Sequence, residues 1–144
     1  MPRQVVIGID ELLAKMDKIA LSVQPKIVAQ SLRAAMTPML KDARANAPKG
    51  SRTHKSYKGR LLAPGFLKQN IKLKKLKRRD KTVQAYGLWA QKEGFYGGFV
   101  ETGIAGESDV TPNPWLGKAY SKNAASVQSL FLTGMRKRIE KAMK

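Results

Sequence analysis

A chain of 144 residues with 28 Lys and Arg against 10 Asp and Glu carries a formal net charge of +18, and its 42% hydrophobic content supports one globular domain over 1–144. The lack of cysteine excludes a disulfide framework and a thiolate metal site, and no apolar run approaches the ~20 residues of a membrane span. The apolar start at Val5, Val6 and Ile7 is cut short by Asp10 and Glu11 before it reaches signal-peptide length, so the expectation is a soluble protein made in the cytoplasm, whose surplus charge suits a polyanion or an acidic neighbour.

Val5, Val6 and Ile7 are β-branched and predict a short first strand, with Asp10 placed to cap the helix that follows. Leu12, Leu13, Met16, Ile19 and Ala20 then recur at helical spacing. A second helix is predicted over 25–47, where Pro25 suits the first turn and Pro48 the stop. Its apolar stripe is Ile27, Val28, Leu32, Met36, Met39, Leu40 and Ala43. Pro38 interrupts that stripe and predicts a kink, because it has no amide hydrogen and crowds the carbonyl four residues back.

Residues 49–64 are polar, basic and aperiodic, which predicts a long flexible basic loop. Residues 65–70 fit one helical turn leading into a strand over 71–79, and a turn at Asp80 and Lys81 leads to a second strand over 82–90. Leu76 breaks the alternation begun by Ile71 and Leu73, so the first strand either bulges near Lys74 and Lys75 or ends early. Residues 104–110 read as a glycine- and acid-containing loop. Asn113 is placed to cap a helix opening at Pro114, whose later stripe is Val127, Leu130, Phe131, Met135, Ile139 and Ala142 or Met143. Gly117 or the 121–123 region is where that helix would break. The fold class is therefore α+β: N-terminal helices, a small antiparallel sheet built on a hairpin, and a long C-terminal helix.

Catalytic constellations are nearly absent. His54 is the one histidine and lies in the basic loop, where a solvated polar role is the plain reading. Asp10, Glu11 and Asp17 suit the early turns of a helix, where carboxylates complement its dipole. Glu107 and Asp109 could join Glu101 around a divalent cation, but no spacing fixes their geometry. No catalytic residue, metal ligand or cofactor is assigned.

The basic segment is more informative: residues 49–81 hold thirteen Lys and Arg against one acid, Asp80. The candidate contacts to DNA phosphates or an acidic partner are Arg52, Lys55, Lys58, Arg60, Lys72, Lys74, Lys75, Lys77, Arg78 and Arg79. Lys72 and Lys74 alternate with Ile71 and Leu73 and would line one exposed strand face. The competing reading is an edge strand protected from aggregation by its lysines. Base-sequence readout is not expected, since Tyr57 alone offers stacking in the loop.

Residues 95–103 place Phe95, Tyr96 and Phe99, three glycines and Glu101 within nine positions, and Pro114 and Trp115 follow. Tyr96 and Phe99, three apart, could face the core from one turn, while Gly97 and Gly98 permit close backbone approach. Glu101 would pair with a basic side chain, within the subunit or across an interface, or be held by internal hydrogen bonds. Tyr96, Phe99, Glu101, Gly103, Pro114 and Trp115 are thus read as a structural and assembly corner.

Four segments in order resemble the tail-component family of long-tailed phages of the lambdoid, HK type. They are Ala43-Arg44-Ala45-Asn46-Ala47-Pro48-Lys49-Gly50, Gly65-Phe66-Leu67-Lys68-Gln69-Asn70-Ile71, Tyr96-Gly97-Gly98-Phe99-Val100-Glu101-Thr102-Gly103, and Pro112-Asn113-Pro114-Trp115-Leu116 before Ala119. Trp115 departs from the commoner phenylalanine, and Gly117-Lys118 from a basic-proline step. The resemblance implies a non-catalytic virion subunit of the neck or head-proximal end of the tail, made in the host bacterial cytoplasm. It implies a homo-oligomeric ring, commonly six-fold, between head connector or stopper proteins and the tail tube or tail terminator protein, around the DNA channel. A different class, a standalone basic nucleic-acid-binding protein, would share the charge but not these motifs.

Overall fold

Helical and strand periodicities in the sequence resolve, in a computed structural model, into ten elements among the described residues 8–50, 53–56, 58–80, 83–90, 104–105, 108–109 and 113–144. In chain order they are α1 (Ile9–Asp17), α2 (Gln24–Asn46), β1 (His54–Lys55), β2 (Leu61–Leu62), α3 (Phe66–Asn70), β3 (Ile71–Lys75), β4 (Tyr86–Ala90), β5 (Ile104–Ala105), β6 (Ser108–Asp109) and α4 (Trp115–Ala142). The architecture is α+β, as the sequence predicts. The expected first strand at Val5, Val6 and Ile7 lies outside the described residues. Among these residues no helix is long and apolar enough to cross a membrane.

The frame is the antiparallel pair of α2 and α4. At one end Met39, Ala43 and Ala47 of α2 and its exit meet Trp115 and Ala119 of α4, with Leu67 and Ile71 closing the cluster from α3 and β3. At the other end Ile27 meets Met135 and Ile139, and Leu12, Met16 and Ile19 from the α1 region complete a second cluster. Burial of these side chains, about 1.5–3 kcal/mol for each large apolar one, is what holds helices of modest local propensity in place.

Where the helices touch, α2 uses small residues. Ser31, Ala35 and Ala43 are fully buried, while Val28, Leu32, Met36 and Leu40 of the expected stripe are half-buried on its flanks. The reason is steric: a close helix crossing needs short side chains at its centre, and hydrophobicity alone does not reveal that. The helix runs without interruption through Pro38.

Several boundaries differ from expectation. Gly8, not Asp10, caps α1; its φ of 85° is a left-handed conformation, and Asp10 lies inside the first turn. The helix stops at Asp17, so Ile19 is buried from the turn that follows and Ala20 is exposed. Residues 49–64 are not simply a loop, because β1 and β2 pair antiparallel with His54 opposite Leu62 and Lys55 opposite Leu61. The Ser56 amide bonds the Arg60 carbonyl at 2.8 Å, and the Ser56 Oγ accepts from the amides of Lys58 and Arg60, each at 3.2 Å. A serine closing its own turn thus supplies order that periodicity cannot register.

The β3–β4 hairpin forms as predicted, with Ile71 opposite Ala90 and Lys75 opposite Tyr86. Its strands are shorter than expected: β3 ends at Lys75, where the apolar alternation fails, and β4 begins at Tyr86, not at position 82. The 104–110 loop includes an antiparallel pair, Ile104 with Asp109 and Ala105 with Ser108. The helix α4 starts at Trp115 with Pro114 as its cap, and Asn113 contributes its carbonyl, 2.7 Å from the Trp115 amide, without a side-chain cap bond. It is one helix of 28 residues, unbroken at Gly117 or at 121–123. Leu130 of its predicted stripe is exposed, as is Met143 beyond its end.

Candidate polyanion-contact surface

The basic surface is built on a short module between α2 and β4. After α2 the chain turns at Gly65, whose amide donates to the Lys49 carbonyl at 2.6 Å and whose φ of 88° only glycine adopts without strain. Leu67 then buries from α3, and Asn70 Nδ2 donates back to the Phe66 carbonyl at 2.8 Å. Ile71 enters β3 fully buried, and the Arg44 guanidinium of α2 grips its carbonyl through Nε at 3.1 Å and Nη2 at 2.8 Å. One arginine thereby fixes the start of the basic strand to the helix frame.

Period 2 does the rest. Ile71 is buried and Leu73 half-buried, while Lys72 and Lys74 are exposed. Lys75, Lys77, Arg78 and Arg79 continue the exposed run past the end of the strand. Around Leu76 and Val83, the side chains of Lys75, Lys77 and Arg78 join Pro25 of α2 in an open depression of about 570 Å³. Lys55, Lys58 and Arg60 are exposed on the β1–β2 hairpin. That hairpin is tied to α3 by the Arg60 guanidinium, 5.9 Å from the centre of the Phe66 ring, within cation–π range. Since α3 runs directly into β3, both groups of bases hang from one anchored module. Arg52 lies outside the described residues.

The proposed corner divides. Tyr96, Phe99, Glu101 and Gly103 lie outside the described residues, as does the Glu107 of the cation reading. Pro114 is exposed at the head of α4, whereas Trp115 is 2% exposed and packed in the core with Leu67 and Ile71. Trp115 therefore acts on the basic module from beneath, as a support for β3. Among the described residues no three His, Asp or Glu side chains converge as metal ligands would.

Other features were not legible from the sequence. Asp42 of α2 accepts from Asn123 Nδ2 at 2.7 Å and lies 3.3 Å from Lys122 Nζ. These partners, the Asn123 bond first, hold its carboxyl below the ordinary value of 3.8. Two apolar grooves also open on the frame. One of about 460 Å³ lies between Tyr86 and Leu88 of β4 and Leu116 and Tyr120 of α4. The other, of about 590 Å³, lies beside α1. Exposed leucines in α1 and its following turn were the available signal for the second.

Residues 10–103, about two thirds of the chain, match the family described as "Bacteriophage HK97-gp10, putative tail-component". No curated protein and no solved structure matches. The matched span runs from α1 through the basic module and the β3–β4 hairpin, and includes the 91–103 segment whose glycines and aromatics stood out in the sequence. The chain belongs to the HK97-gp10-like family of bacteriophage tail components.

Proposed function

We propose that this phage tail component works as a single-domain subunit of a ring at the head–tail interface, six-fold in symmetry, through which the genome passes. In this reading it completes or terminates the tail in the neck of the virion, bound by head connector or stopper proteins on one side and the tail tube or terminator protein on the other. Its work is structural and not catalytic. The observation that carries the reading is the anchored run of exposed bases, Lys72, Lys74, Lys75, Lys77, Arg78 and Arg79, held on a rigid strand and its exit. A ring lumen lined by such bases would hold the DNA backbone without reading its sequence.

The same bases also suit an acidic neighbouring ring. Fluorescence anisotropy with duplexes of unrelated sequence, over a salt series, separates the possibilities. Binding that ignores sequence and collapses with salt supports the lumen placement; selective capture of a connector or tail-tube protein with no DNA binding places the bases against protein. Tight, sequence-selective DNA binding would instead favour a standalone nucleic-acid-binding protein.

A further inference from the structure

The outward face of α1 carries Asp10, Leu13, Ala14 and Asp17, all exposed and spaced at one, four, five and eight along the helix. Leu13 is 57% exposed, and Ile9 and the neighbouring Leu21, the latter 82% exposed, extend the apolar surface. This surface borders the open groove of about 590 Å³ whose wall includes Leu12, Met16 and Phe131. Scattered apolar residues are ordinary on a surface, but a contiguous set beside an open groove marks an interaction site.

Charge identifies the occupant. In a chain of net charge +18, α1 is the one helix among the described residues whose side chains sum to a negative charge, with Asp10, Glu11 and Asp17 against Lys15. Glu11 and Lys15 are matched to each other at 2.7 Å. Asp10 and Asp17 therefore supply the helix's outward charge, about one turn to either side of Leu13. At the opposite end of the α2–α4 pair, β3 presents Lys72 and Lys74. An acidic partner protein would suit β3 alone; a second copy of this chain satisfies both surfaces at once.

We propose that α1 of one copy docks on the basic outer face of β3 in a second copy. Asp10 and Asp17 meet Lys72 and Lys74, and the methylene stems of the two lysines cover Leu13. Because the two surfaces sit at opposite ends of the frame, the contact is heterologous and propagates from copy to copy, closing where the rotation permits. The inference rests on the ring reading and names the surfaces that build it.

The test is sedimentation velocity on the full chain at low and high salt, with circular dichroism to verify folding of each variant. The variants are Asp10→Lys with Asp17→Lys, and separately Lys72→Asp with Lys74→Asp. The wild type is expected to associate at low salt, and each variant alone to associate at least about tenfold more weakly. An equimolar mixture of the two variants should recover association, since each then offers the charge that the other lacks. Self-association that survives both variants overturns the inference and leaves the ring standing, and a folded mixture that fails to recover also overturns it. A wild-type chain that stays monomeric at low salt overturns the inference and the ring together.

Discussion

Replacing Ser31 with alanine should stabilise the protein. Ser31 is fully buried at the α2–α4 crossing, and its Oγ meets no hydrogen-bond partner among the described residues. Opposite it lies Gly134, where an added Cβ would come 3.6 Å from the Ser31 Cβ, so the hydroxyl is confined by a close helix contact. A desolvated, unbonded hydroxyl costs about 1–2 kcal/mol, and alanine adds up to about 0.5 kcal/mol of helix propensity. The small void left by one oxygen offsets part of this, giving a net gain of about 1 kcal/mol. Thermal unfolding followed by circular dichroism should register a rise of roughly 3–5 °C for a chain of this size, with a matching shift of the urea midpoint at unchanged slope. A lower melting temperature would refute the reasoning, because it would mean that the hydroxyl is bonded and that α2 depends on it.

Gly65→Ala should destabilise by about 1–2 kcal/mol in urea titration, since a residue with a Cβ is strained at a φ of 88°; an unchanged midpoint would show that the turn relaxes. Acid should weaken the α2–α4 contact at Asp42. Its folded-state carboxyl titrates below the ordinary 3.8, so its stabilising contribution is complete above that value and is lost as pH falls through the lower folded one. Wild type and Asp42→Asn should therefore converge in melting temperature on acidification below about pH 4, and a gap that stays constant into acid would contradict the assignment. Lys72→Ala with Lys74→Ala should reduce the salt dependence of DNA binding by close to two in log–log slope, while an unchanged slope would place these lysines away from the phosphates.

Strong periodicity made α2, the β3–β4 hairpin and the exposure of Lys72 and Lys74 legible, because one face of each element is buried and its period survives in the sequence. The break at Leu76 correctly signalled that β3 ends early. What failed was whatever depended on distant partners or on backbone alone. Asn123 reads as a helix interruption, yet its amide is satisfied by Asp42, 81 residues away, at 2.7 Å and by the Ala119 carbonyl at 2.8 Å. Two-residue strands such as His54–Lys55 have no period to detect. The cap at Gly8 depends on a left-handed φ that leaves Asp10 free to act in the first turn. At the candidate site, the bases were visible as composition, but their anchoring by Arg44, three turns of chain and a strand away, was not.

Placement of this tail component at the head–tail junction is tested most directly by negative-stain imaging of particles assembled without it. The account predicts DNA-filled heads and separate tails that fail to join, or tails with an abnormal head-proximal end. Normally joined, infectious particles lacking the chain would contradict it.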